Sequence, residues 1–300
     1  MKNLMTNSGD LEFYAKGEAF EDGEYDLRAT ERLLTNYRRL VDVMLPLALS
    51  QKTLTKKLQK EIKYKVSFKQ GSWITTLQFA LEHKEIFAAI AASDNAGYYL
   101  AEHVAKLIDS SFDIWRKFDE ILTNGYKPKI QIASDNHQNS DFNIGDISGV
   151  NGNIIIINQP IQIVAAQLSK PVLDSLVKSI DGNTIESLSI NSSKSKTLIT
   201  SDDIRITGSL KEELANNIEI IGRLDMVAFS AHKGNLLTGN GRHPVTWDEE
   251  IRNEIKNHAD TEGMAFTVKP VIDNKRIGDE PIGFHILRVR DPQGALWGKA

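Results

Sequence analysis

Thr246-Trp247-Asp248-Glu249-Glu250-Ile251-Arg252-Asn253-Glu254-Ile255-Lys256-Asn257-His258-Ala259 is the stretch that orders the C-terminal third of the chain. Thr246 and Glu249 have the spacing of a capping box, and Ile251, Ile255 and Ala259 recur every four residues, so the stretch predicts a helix with one apolar stripe. Apolar, β-branched runs near 197–206, 218–229 and 235–239 precede it, and two more near 264–272 and 282–290 follow. Five short strands with a helix between the third and fourth predict a small five-stranded β-barrel, the oligonucleotide/oligosaccharide-binding kind included. On its last strand Arg288 and Arg290 fall on one face, and His285, Leu287 and Val289 on the other.

Outward from the barrel the patterns change. Leu11 to Ala15 alternates and stops at Gly17, which predicts a strand. Asp26 then caps a helix whose stripe is Leu33, Tyr37, Leu40, Val41, Met44 and Leu45, with Pro46 kinking or ending it. Ile62, Tyr64, Val66 and Phe68 alternate with lysines, Gln70-Gly71-Ser72 turns the chain, and Trp73, Thr75, Leu77 and Phe79 alternate again, which predicts a hairpin. An alanine-rich helix over 85–93 and a long amphipathic helix over 98–122, closed by Asn124-Gly125, complete an N-terminal part of antiparallel strands packed with helices. The fold class is therefore α+β.

The Asn-, Asp-, Ser- and Gln-rich stretch 126–145 has the composition of a linker. Beyond it, Asn151-Gly152 between two apolar runs predicts a tight hairpin, and Ser169 with Pro171 predicts the start of a helix running to Ile180. The expected organisation is an α+β domain over 1–125, a linker over 126–145, a small αβ segment over 146–194 and the barrel over 195–300.

A net charge of −4, from 36 basic and 40 acidic residues, argues against a whole-protein grip on nucleic acid. Cysteine is absent, which removes disulfides, thiol nucleophiles and cysteine-bound metal. No secretory leader and no apolar run of about 18 residues is present, so a cytoplasmic protein is expected. The seven histidines lack metal-binding spacing, and the polar loop Asp135-Asn136-His137 with Asp141 lacks the glycine and glutamate of a calcium loop. Glu61-Ile62-Lys63 has the local order of a nuclease motif without a second carboxylate on its strand. No G-x-S-x-G elbow or phosphate loop occurs, and Gly239-Asn240-Gly241 reads as a turn. No catalytic, metal or cofactor residue is assigned.

The remaining candidate surface is basic. Lys52, Lys56, Lys57, Lys60, Lys63, Lys65 and Lys69, with Arg38 and Arg39, face only Asp42 and Glu61, a composition suited to phosphates, an acidic protein or a membrane face. The same lysines also protect a wet strand from edge pairing. Over 195–300, 14 basic residues stand against 16 acidic, so the barrel lacks the basic excess of a nucleic-acid binder. Ile86-Phe87-Ala88-Ala89-Ile90-Ala91-Ala92 is too short to span a bilayer and points to helix packing, with membrane activity conceivable only after assembly.

The opening strand ending at Gly17, the helix Leu33–Leu49, the strand Val66-Ser67-Phe68-Lys69 running into Gly71-Ser72, the helical pair after it and the C-terminal barrel together resemble a family of uncharacterised bacterial mobile-element and phage-defence proteins. The resemblance implies a two-part protein in bacterial antiviral defence, as sensor, effector or adaptor, and carries no catalytic residues. The resulting expectation is a non-enzymatic interaction or assembly protein, with helices 26–49 and 98–124 forming contacts and the barrel docking a protein partner or a second copy. A nucleic-acid-binding protein using 52–69 is the alternative, and a metal-dependent hydrolase with scattered ligands or a membrane-active oligomer comes third.

Overall fold

In a computed structural model of the chain, the described residues are 9–20, 26–49, 62–63, 73–81, 96–133, 149–278 and 280–291. They form two compact units, Met1–Gly208 and Ser209–Ala300.

In the first unit, alternation in Leu11-Glu12-Phe13-Tyr14-Ala15 places Leu11, Phe13 and Ala15 in the core, on strand β1 (Gly9–Lys16). β1 pairs antiparallel with β3 (Trp73–Leu81), which in turn pairs with the short β2 (Ile62–Lys63), as the expected hairpin requires. The turn of that hairpin and the helix expected over 85–93 lie outside the described residues. Helix α1 (Leu27–Ala48) starts where expected: the Asp26 side chain accepts from Ala29 N at 2.7 Å. Its predicted stripe is buried throughout, and Tyr37 stacks on Phe13 with ring centroids 4.1 Å apart. Each such aliphatic side chain contributes about 2 kcal/mol by leaving water. Pro46 does not end the helix at once; two more residues follow.

Helix α2 (Ala96–Thr123) runs against α1, α3 (Pro160–Val177) and the sheet. Leu100, Val104, Leu107, Ile108, Phe112 and Ile114 are fully buried, so α2 is the core of the unit. α3 begins at Pro160 rather than near Ser169: Gln162 Oε1 reaches back to Gln159 N at 3.0 Å, and Pro160 has no N–H to leave unpaired. Pro171 is thus interior, and Ser169 is a buried packing residue.

The stretch 126–145 is not simply a linker. Its described part includes β4 (Lys129–Ile132), parallel to β6 (Ile154–Ile157), which is antiparallel to β5 (Gly149–Asn151). The β5–β6 hairpin pairs Asn151 with Ile154, so its two loop residues are Gly152 and Asn153, one position later than the Asn151-Gly152 reading. Gly152 takes the left-handed conformation, φ 62°, that such a turn demands of its first residue.

The largest departure concerns 187–206. β7 (Ser187–Asn191) pairs antiparallel with β1, and β8 (Lys196–Thr200) pairs with β7, giving the sheet order β2-β3-β1-β7-β8. Residues Ser201–Ile206, read as the end of a barrel strand, form a 3₁₀ turn. The boundary therefore falls after Gly208, not at 195, because the hairpin finds its pairing edge on β1 and its polar anchors on α2. The αβ segment 146–194 likewise belongs to this unit rather than standing alone.

The second unit is a closed five-stranded barrel. β10 (Ile218–Ala228), β11 (Lys233–Thr238), β12 (Gly241–Trp247), β14 (Gly283–Arg290) and β13 (Met264–Asp273) follow one another around the ring, and β13 pairs back onto β10. The short β9 (Lys211–Glu213) extends the far half of β13. The five-strand total agrees with the sequence reading, but the membership does not: 197–206 drops out and Gly241–Trp247 enters. Its Gly-Asn-Gly turn and Pro244 hid that strand. Pro244 is tolerated opposite Asn235, one residue before the paired run with β14 begins at Val245. Helix α4 (Arg252–His258) lies between β12 and β13 after a 3₁₀ turn, Glu249–Ile251. The expected capping box is not made; Asp248, not Thr246, precedes the turn, because Thr246 belongs to β12. Leu224, Leu236, Val245, Trp247, Phe266, Val268 and Ile286 fill the interior, with Phe229 packed beside them.

Candidate functional site

Among the described residues two surfaces carry chemistry, one in each unit. On the barrel, the register of β14 decides the first. Val268 pairs with Ile286 but Thr267 pairs with Arg288, so Leu287 is an extra residue and the alternation resets there. Phe284, Ile286 and Val289 consequently point inward, and His285 joins Arg288 and Arg290 on the outer side, correcting the face assigned to it above.

The parallel pairing of Thr246 with His285, and the antiparallel pairing of Lys269 with His285, then build a polar row across three strands. His285 Nδ1 lies 3.1 Å from Thr246 Oγ1 and 3.5 Å from Glu213 Oε1, while Nε2 lies 3.3 Å from Asp248 Oδ2. Lys269 Nζ is 3.7 Å from Glu213 Oε2. A hydroxyl, an imidazole and a carboxylate in series is the order found in nucleophilic hydrolases. Here, however, a second carboxylate shares the nitrogen that would serve as base, and the Asp248 side chain is 72% exposed. The ring is a brace tying β9, β12 and β14 together. Nothing local in the sequence announces it, since its members come from four segments joined only by barrel closure.

Beside this row a cavity of about 270 Å³ opens, lined among others by Lys211, Glu213, Pro244, Thr246, Val271 and Phe284. The neighbouring outer positions of β11 and β12 include Lys233, Asn235, Arg242 and Pro244, none of them an aromatic on which a base could stack. Arg242 is bound to Asp225, Arg290 to Glu219, Arg252 to Glu249 and Arg223 to Asp260, so four of the six arginines of this unit already have carboxylate partners. The hydrogen bond from Arg252, with its charge, holds the Glu249 carboxyl below its ordinary value, and His232 Nε2 lies 2.6 Å from the same carboxylate.

The second surface is on α3. Its outer positions Val164 and Leu168, one turn apart, are 40% and 53% exposed. Its only charges, Lys170 and Asp174, bind each other at 2.5 Å, and Lys170 also lies over the Trp115 ring at 5.1 Å. This face therefore carries no free charge, and Gln167, Pro171 and Ser175 are exposed on it beside the two apolar residues. Sequence reading missed it by starting the helix nine residues late.

Of the seven lysines proposed as a basic surface, only Lys63 is described, as a backbone position of β2 opposite Ala80; Lys52, Lys56, Lys57, Lys60, Lys65 and Lys69 lie outside the described residues. Asp135, Asn136, His137 and Asp141 lie outside them too. Asp42 is on α1, as expected. Among the described residues no group of three metal-ligating side chains converges, and no helix is long and apolar enough to cross a membrane. No protein-family model, no curated protein and no solved structure matches the chain.

Proposed function

We propose that the chain is a non-enzymatic assembly protein that meets a protein partner, or a second copy of itself, through the outer face of α3. The observation that carries this reading is the exposure of Val164 and Leu168 on a helix whose two charges are already paired. A helix with apolar residues on nearly every side is normally enclosed, and water contact with this face costs free energy that a partner would recover. Antiviral defence, as sensor, effector or adaptor, is the setting we propose for that assembly; the resemblance noted above is its support.

Size-exclusion chromatography with light scattering, on the chain alone and with phage lysate proteins, tests the reading. Assembly that is lost in Leu168→Glu, with the circular dichroism spectrum unchanged, would support it. A monomer at all concentrations that takes up no partner, or an assembly indifferent to Leu168→Glu, would overturn it.

A further inference from the structure

The barrel cavity lies in the other unit and goes beyond that reading. Val245, Val271, Ile282 and Phe284 make much of its wall apolar. Gly283 belongs to the lining as well, and a Cβ there would stand 2.6 Å from the Pro244 carbonyl oxygen, so the backbones of β12 and β14 approach too closely for a side chain.

The acidic groups around the cavity are occupied. Glu212 Oε2 accepts from Asn274 Nδ2 at 2.6 Å, and Glu213 has Lys269 and His285 beside it. Asp273, across the ladder from Lys211, accepts from Leu210 N at 2.8 Å and Lys275 N at 3.0 Å. Lys211 lines the cavity, and among the described residues its ammonium group has no hydrogen bond or ion pair.

We propose that this cavity binds a small amphiphilic carboxylate, with the anionic head on the Lys211 ammonium group and a short acyl or aryl body against Val271 and Phe284. The volume lies just below the range of about 300–1,000 Å³ typical of ligand pockets, which suits a short chain and not a nucleotide. An ammonium point charge does not itself select among anions. Glu213, on the same face of β9 as Lys211, does: its carboxylate repels a dianionic phosphate more than a monoanionic carboxylate.

Calorimetric titration of the full chain with octanoate, octyl phosphate and octanol tests this. Octanoate is expected to bind at least about tenfold more tightly than either analogue, and Lys211→Met to weaken it by about tenfold with the thermal midpoint unchanged. Val271→Trp, which fills the cavity without touching the charge, should also abolish binding. No octanoate binding, or binding indifferent to both substitutions, would overturn the proposal. A peptide with an apolar C-terminal residue distinguishes the source: tighter binding than octanoate, lost on amidation, would assign the carboxylate to a protein C-terminus, and weaker binding would assign it to a free acid. None of these outcomes depends on α3, so the assembly reading stands or falls separately.

Discussion

Arg116 and Asp203, 87 residues apart, form a two-pronged pair: Nε donates to Oδ1 at 2.7 Å and Nη2 to Oδ2 at 2.8 Å. Arg116 Nη2 also donates to the Leu198 carbonyl, and Asp203 accepts from Thr200 N at 3.0 Å, so one pair fastens β8 and the turn after it to α2. The hydrogen bond to Asp203, with its charge, raises the Arg116 pKa above its ordinary value against the opposing effect of burial. Glu102 and Asp109 precede Arg116 at seven-residue steps and act alike. Glu102 accepts from Ser193 Oγ at 2.6 Å, Ser192 Oγ at 3.0 Å and Lys194 N at 3.2 Å, and Asp109 accepts from Thr197 Oγ1 at 2.7 Å. Two heptad steps nearly complete four turns, so all three side chains fall on one stripe of α2. That stripe is a polar seam holding the β7–β8 hairpin.

Asp203→Ala is expected to destabilise the first unit by about 3 kcal/mol, because it leaves Arg116 half-buried without its carboxylate and Thr200 N without an acceptor. Urea unfolding measures this. The double variant Arg116→Met, Asp203→Leu should recover much of the loss, whereas equal losses in both variants would mean that the pair contributes nothing specific.

Gly17 ends β1 at φ 147°, and a Cβ there would lie 2.4 Å from the Thr184 carbonyl oxygen. The atoms it would meet, Thr184 O, Ile185 Cα and Glu186 N, are all backbone, so no side chain can yield. Gly17→Ala should therefore cost on the order of 2 kcal/mol and raise amide exchange at Glu186 N, which donates to Lys16 O at 2.7 Å. Unchanged exchange at Glu186 would count against the close approach.

Asp181 accepts from Asn183 N at 3.0 Å and Ile185 N at 3.1 Å in the turn after α3. The bond from Ile185 N is the main cause that holds its carboxyl below the ordinary value. A depressed folded-state pKa contributes stability that is present above the unfolded value of about 3.9 and lost as pH falls through the folded one. Wild-type and Asp181→Asn urea midpoints should accordingly differ at pH 6 and converge toward pH 2. A gap that persists undiminished at pH 2 would show that the turn, not the charge, is responsible.

Among the candidate surfaces, legibility tracked how local each one is. The α1 stripe and its Asp26 cap were readable because a helix buries residues at fixed short spacing. The α3 face was hidden by a proline mistaken for a start, since Pro171 satisfies the same local rule as Pro160. The His285 row left no trace at all: the one-residue bulge at Leu287 reverses the face of the first half of β14, and alternation counted along the strand cannot register an extra residue.

Periodicity, turn residues and charge by themselves established the α+β class, most helices and strands, a five-stranded C-terminal barrel and the lack of any local catalytic or metal motif. Tertiary structure alone decided which strands share a sheet. β8 has an ordinary strand sequence and β12 one that Pro244 disguises, but β8 is drawn to the edge of β7 by the polar seam on α2, and β12 closes the ring between β11 and β14. The reason is that strand hydrogen bonds join backbone groups of any sequence. Partner choice therefore depends on which edge and which buried anchors are within reach, and those come from residues far apart in the chain.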